Sequence, residues 1–246
     1  MSISKNQLKT ITSLSQKKYR QQHNLFVAEG IKVVSELLQS SLELVKLYAT
    51  DDFVIDDDSK LEKISPKDLQ KISNLKTPNK VLAIFKIPDE KFLQDEGFIL
   101  ALDTINDPGN LGTIIRLCDW FGISQLVCSK ETVDCYNPKV VQASMGSLTR
   151  VSITYLNLEN YLQETKLPIF IADMDGENVY KSTLPKEAIL VMGNEANGVS
   201  DTIKTLVKNK ISIPRFGALQ ETESLNVATA TAILLSEFRR GLKLEV

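Results

Sequence analysis

Along the first hundred residues the apolar positions change period several times, and each change marks an element. Leu8, Ile11 and Leu14 recur every three residues with polar residues between them, which predicts a helix. The short apolar run Leu25-Phe-Val-Ala28 leads into Glu29-Gly30. Ile31, Val33, Val34, Leu37 and Leu38 then form the stripe of an amphipathic helix reaching about Ser40. Leu42 to Ala49 alternates like a strand and stops at Asp51-Asp52. Ser65-Pro66 is a helix start, with Ser65 as N-cap and Pro66 at the first helical position. Val81 to Phe85 is a short buried strand. Alternating helices and strands over this length predict a small α/β unit.

The stretch from Lys86 to Gly97 is charged, carries one proline and one glycine, and is expected to be a linker between a domain at 1–93 and another at 97–246. Beyond it the alternation is cleaner. Strands are expected at Phe98–Leu102, Gln125–Cys128, Ile169–Ala172, Ala188–Met192 and Lys210–Ile213. Helices are expected near 110–121, 138–147 and 200–208, with a last one from about Asn226 to Arg240. Continuous apolar strands separated by helices predict a mostly parallel sheet covered on both faces. In such sheets ligands sit beyond the carboxyl ends of the strands, which directs attention to the loops after Leu102, Met192 and Ile213.

Composition narrows the classes. The 246 residues are 43% hydrophobic and 24% charged, as in an ordinary globular protein. No apolar run approaches the roughly 18 residues of a membrane span. The opening Met1-Ser-Ile-Ser-Lys-Asn lacks the apolar core of a secretory signal. Cys118, Cys128 and Cys135 form no close pair, which points to buried or free thiols in a reducing cytoplasm. With His23 as the single histidine, no zinc site is expected. A net charge of −2 argues against coating nucleic acid by bulk charge but leaves room for a local basic face. Lys5, Lys9, Lys17, Lys18 and Arg20 against Glu29 make one candidate, equally readable as a solvated helix face.

Three loops carry the candidate chemistry. The first runs from Asp103 through Pro108-Gly-Asn110 to Arg116; Asn110 is expected to cap the helix, whose free amides favour an anion such as an RNA phosphate. Neither the dinucleotide fingerprint nor a P-loop is present. The second, Gly193-Asn-Glu-Ala-Asn-Gly-Val-Ser200, has glycines at 193 and 198 for close backbone approach, Glu195 to hold a hydroxyl or an arginine, and Ser200 as helix cap. In the third, Ile211-Ser-Ile-Pro214 ends a strand, a polar loop follows, and Ser224 is expected to cap the last helix. Each loop alone is also compatible with a plain strand-to-helix connection.

Together, Asn110-Leu-Gly-Thr-Ile-Ile-Arg116, Val191-Met-Gly-Asn-Glu195 with Gly198, and Ile213-Pro214 with Ser224-Leu-Asn-Val-Ala228 resemble the three motifs of the SpoU (TrmH-like) RNA 2′-O-methyltransferases of the SPOUT superfamily. Tyr19-Arg20 and Phe26-Val-Ala-Glu29-Gly30 are similar to the opening of that family's small α/β substrate-binding domain, which binds RNA. The resemblance implies a trefoil knot in the C-terminal domain, an obligate homodimer in the cytoplasm, S-adenosylmethionine as methyl donor, and structured RNA, ribosomal before transfer RNA, as substrate. It implies donor contacts at Met192, Gly193, Ile213, Pro214 and Leu225, and catalytic roles for Arg116, Asn110, Glu195, Ser224 and Asn226. A guanidinium is hardly ever deprotonated, so a phosphate clamp and alkoxide stabiliser suits Arg116 better than a base. The rival readings are a catalytically inactive RNA-binding homologue and a SPOUT base N-methyltransferase. One departure is the long acidic loop at 218–223, with Glu221 and Glu223 on the side from which RNA would approach.

Overall fold

A computed structural model describes residues 3–50, 53, 55, 58–89, 93–217, 219 and 224–241. It divides into two compact units. One comprises Met1–Asp89 together with Asp134–Thr149; the other comprises Glu90–Val133 and Arg150–Val246. Residues 134–149 thus pack with the N-terminal unit although they lie within the second half of the sequence.

The first unit holds α1 (Lys5–Ser13), α2 (Lys17–His23), β1 (Leu25–Glu29), α3 (Ile31–Leu38), β2 (Leu44–Ala49), β3 (Leu61–Lys63), α4 (Pro66–Ile72) and β4 (Val81–Lys86). Its sheet has the order β1-β4-β2-β3, antiparallel except between β2 and β3. The single helix expected at the start is two, because the chain turns at Leu14–Gln16. Ser4 closes a capping box with Gln7 at the head of α1, and Asn24, at φ 55°, ends α2. Strand β3, with its Leu-Glu-Lys sequence, has no apolar pattern to betray it. Ser65 caps α4 with Pro66 at its first position, as expected.

Arg20 does not join a basic surface. It is 1% exposed, while Lys5, Lys9, Lys17 and Lys18 stay exposed. Its Nε and Nη2 donate to Asp134 Oδ2 at 2.9 and 2.5 Å, and its Nη1 donates to the Leu14 and Ser15 carbonyls at 2.9 and 2.8 Å. A buried guanidinium is tolerated when its donors are satisfied in this way. Glu29 is also buried, accepting from the Ser73 hydroxyl, the Asn74 backbone at 2.8 Å and Asn74 Nδ2 at 3.0 Å. The Asp134–Thr149 segment contributes α6 (Pro138–Ser144), which packs on β1, and Tyr136, whose ring lies 4.8 Å from that of Phe26.

The second unit is a six-stranded, wholly parallel sheet of order β10-β8-β9-β5-β6-β7: β5 (Phe98–Leu102), β6 (Gln125–Ser129), β7 (Ser152–Leu156), β8 (Ile169–Asn178), β9 (Ala188–Met192) and β10 (Asn209–Ser212). It is flanked by α5 (Pro108–Trp120), α7 (Leu158–Glu164), α8 (Asp201–Leu206) and α9 (Val227–Arg239). Central strands β5, β6 and β9 are buried at every position, hence the unbroken apolar runs of β5 and β9; β6 is apolar between Gln125 and Ser129, whose side chains are hydrogen-bonded. The edge strand β7 and the short α7 escaped the sequence reading; β7 is half-buried throughout and its polar content hides it. Strand β8 pairs with β10 at Phe170 and Ile171, then again at Glu177 and Asn178, so Ala172–Gly176 bulge away from that partner. Gly176 permits this, since a Cβ there would lie 2.6 Å from the Ile211 backbone.

Part of the expected linker belongs to this unit: Gln94 exchanges hydrogen bonds with the Gln125 side chain at 2.7 and 2.9 Å. All three cysteines are buried, and burial, reinforced by the charge of Asp119, pushes the Cys118 thiol well up. Among the described residues no helix is long and apolar enough to cross a membrane, and no cluster of His, Cys, Asp and Glu is fit to hold a metal.

Candidate active site

From β5 the chain moves toward β6 and β7; from β9 it moves the other way, through α8 to β10. The two strands are neighbours, so their carboxyl ends form the crevice where open parallel sheets bind ligands. The loop after β5 and the loop after β9 meet there. Asn194 Nδ2 donates to Thr104 O at 2.7 Å and the Ser200 amide to Asp103 Oδ2 at 2.7 Å.

Glu195 is the hub. Its carboxylate accepts from the Asn106 and Asp107 amides at 3.4 and 3.3 Å and from Asn110 Nδ2 at 3.0 Å. This changes two expectations. Asn110 is not the cap of α5: Asp107 is, accepting the Asn110 amide at 2.8 Å, because Pro108 occupies the first helical position. The Asn110 side chain is thereby freed to reach Glu195. Furthermore, amides expected to receive an RNA phosphate are already met by the chain's own carboxylates, which answer the positive end of the helix.

The third loop joins through Asn226. Its Nδ2 donates to Asn110 Oδ1 at 2.9 Å, while its Oδ1 accepts the Ala228 and Thr229 amides at 3.0 and 3.2 Å. Asn226, not Ser224, therefore caps α9; two short polar residues compete there, and Ser224 is left exposed before the helix. Glu195, Asn110 and Asn226 thus form one hydrogen-bonded series across all three loops. Ser200 sits at the cap position of α8, but its hydroxyl makes no capping bond.

Gly193 is where the backbone comes closest to itself. Asn194 and Gly198 bond in both directions at 2.9 Å, and a Cβ on Gly193 would lie 2.1 Å from the Gly198 carbonyl carbon. Only glycine fits that tight loop. Met192 is buried, Ile213 and Pro214 are half-buried, and Leu225 is 48% exposed, an apolar set with room to cover a flat ring. Arg116 lies on the exposed stripe of α5 that also carries Thr113 and Trp120; among the described residues its side chain has no hydrogen bond or ion pair. Glu221 and Glu223 lie outside the described residues.

Asp103, Thr104 and Asn194 were missed from the sequence. A carboxylate placed directly after a fully buried strand is the signal that marks Asp103; nothing local marks the other two.

The profile of the SpoU rRNA methylase family matches residues 97–236, and that of the MRM3-like substrate binding domain matches residues 5–83. The chain is 30% identical over 244 residues to the 23S rRNA (guanosine(2553)-2′-O)-methyltransferase RlmP of Bacillus subtilis, covering 96% of this chain and 97% of that one. Among solved structures, an RNA methyltransferase of the TrmH family from Porphyromonas gingivalis superposes with a TM-score of 0.87 at 38% identity, covering 98% and 99% of the two chains. The AdoMet-bound rRNA methyltransferase of Sinorhizobium meliloti does so with a TM-score of 0.85 at 28% identity, covering 99% and 97%.

Proposed function

The chain belongs to the SpoU rRNA methylase family, and we propose that it transfers a methyl group from S-adenosylmethionine to a ribose 2′-hydroxyl of structured RNA, ribosomal rather than transfer RNA. The observation that carries this reading is the joining of three motif loops by Glu195, Asn110 and Asn226 at the switch point of the sheet, with the exposed Arg116 on the helix whose first turn holds Asn110.

The donor would be held by the Gly193 backbone and by Met192, Ile213, Pro214 and Leu225. A tight glycine loop exposes backbone groups, and the apolar side chains suit adenine. When bound, the donor supplies a methyl group activated by positively charged sulfur. The protein's task is then to orient the hydroxyl and carry the charge that develops on its oxygen. Arg116 grips an RNA phosphate and stabilises the negative charge that develops on the ribose oxygen: the O–C bond would form as the donor's S–C bond breaks to leave a neutral thioether, and the hydroxyl proton would pass to solvent water. Glu195, Asn110 and Asn226 act mainly by bracing the loops, since their polar atoms are already engaged; Ser224, exposed next to Leu225, is placed to touch the ribose.

The N-terminal region, residues 1–93, serves as the RNA-holding domain, with 97–246 as the methyltransferase domain. The protein works in the cytoplasm as a homodimer, a reading supported by the large exposed apolar side chains of Trp120, Phe216 and Leu219. The C-terminal segment carries the family's trefoil knot. Replacement Arg116→Ala tests the catalytic assignment: methyl incorporation into RNA is expected to fall at least about a hundredfold while donor affinity measured by calorimetry stays near wild type. Near-normal turnover in that variant contradicts the assignment.

A further inference from the structure

Asp103 takes no part in the chemistry above, yet it is a buried carboxylate at the centre of the site, only 5% exposed. It follows directly on β5, and its own amide donates to Met192 O at 2.9 Å. Its Oδ2 accepts the Ser200 amide at 2.7 Å and its Oδ1 accepts the Thr104 hydroxyl at 3.1 Å. One residue therefore ties both the entrance and the exit of the 193–200 loop to the end of β5.

The next residue shows that this attachment is held against a conformational cost. Thr104 has φ 60°, a left-handed conformation that β-branched residues rarely adopt. It is kept there from both sides: its amide donates to Ser129 Oγ at 3.0 Å, and its carbonyl accepts Asn194 Nδ2 at 2.7 Å. Asn194 in turn organises the loop interior, its Oδ1 accepting the Ala196 and Asn197 amides at 2.9 and 3.2 Å. With both carboxylate oxygens engaged and almost no exposure, Asp103 is placed to shape the loop and not to meet a substrate.

We infer that Asp103 is a positioning residue for methyl-donor binding: acting through the Ser200 amide and the Thr104–Asn194 bond, it fixes the Gly193 backbone in the shape the donor requires. This rests on the reading of the 193–200 loop as a wall of the donor site.

The test is calorimetric titration of the full-length protein with S-adenosylhomocysteine, with steady-state kinetics on RNA beside it, for wild type, Asp103→Ala, Asp103→Asn and Ser200→Pro. Ser200 has φ −60°, the value proline locks, and its hydroxyl makes no capping bond, so Ser200→Pro removes the donated N–H and leaves Asp103 in place. Losing a hydrogen bond to a charged group is expected to weaken binding about tenfold or more in Asp103→Ala and Ser200→Pro. Asp103→Asn, which keeps an acceptor oxygen, is expected to stay within about threefold of wild type. The donor KM rises in parallel while kcat at saturating donor is retained; a merely structural role would lower kcat through the folded fraction and leave the donor KM alone. Unchanged donor affinity in Ser200→Pro, or a kcat loss at constant donor KM, overturns the inference. If Asp103→Ala does not fold, Ser200→Pro decides. If wild type itself gives no saturable heat, the donor-binding reading falls, and not the role of Asp103 alone.

Discussion

Asn110, Asn226 and Asp107 share a short polar side chain at a loop–helix junction, and residue type alone does not say which of them caps a helix. Pro108 decides the first case: the cap must precede it, so Asp107 caps α5 and Asn110 is released to reach Glu195. At α9 the choice falls on Asn226, whose oxygen caps while its nitrogen reaches Asn110. Residue identity thus told where the polar groups were but not which partner each would choose, because that depends on loops 85 to 116 residues away along the chain. Asp173 shows the same dependence on distant partners. Burial opposes its ionisation, but the Asp175 backbone N–H and the Lys204 and Lys210 ammonium groups, the latter two at 3.5 and 4.0 Å, outweigh burial and hold its carboxyl below the ordinary range. A carboxyl depressed on folding adds stability above its unfolded value, about pH 4, and the gain is lost as pH falls through the lower folded value. Urea midpoints measured from pH 3 to 7 are therefore expected to fall less steeply on the acid side in Asp173→Asn than in wild type, from a lower neutral value.

Among elements, the strands of the second unit were the most legible. Phe98–Leu102 and Ala188–Met192 stand where their apolar runs predict, because a strand buried on both faces needs apolar residues at every position. Two of the edge strands were not legible: β7 and β3 are largely half-buried, and their mixed polarity resembles a loop. Least legible was the allegiance of residues 134–149, which complete the first unit from far along the sequence. Asp134 is the residue on which that attachment turns, since it meets the charge of the buried Arg20. Removing one partner of a buried pair leaves an uncompensated charge, so Asp134→Ala is expected to destabilise the protein by roughly 3–5 kcal/mol in urea denaturation. A loss under about 1 kcal/mol would mean that Arg20 finds water or another acceptor instead.

At the scale of the whole molecule, the net charge of −2 and the resemblance of the motifs pointed in different directions, and the family membership resolves them in favour of RNA chemistry. Bulk charge misleads here because methyl transfer asks for a well-placed cation, the part proposed for Arg116, and not for an excess of them. Trp120, 84% exposed, is the largest apolar side chain left uncovered on the described surface of the second unit. If a second copy covers it, light scattering after gel filtration gives twice the 27.5 kDa of the chain, and Trp120→Glu shifts that mass toward the monomer. The central claim, methyl transfer to a ribose hydroxyl, is tested most directly by nucleoside mass spectrometry of ribosomal RNA from cells with and without this gene. The expected result is the loss of one 2′-O-methylated nucleoside in its absence, restored by the wild-type chain but not by Arg116→Ala. A missing base-methylated nucleoside, or identical nucleoside profiles from the two strains, would contradict it.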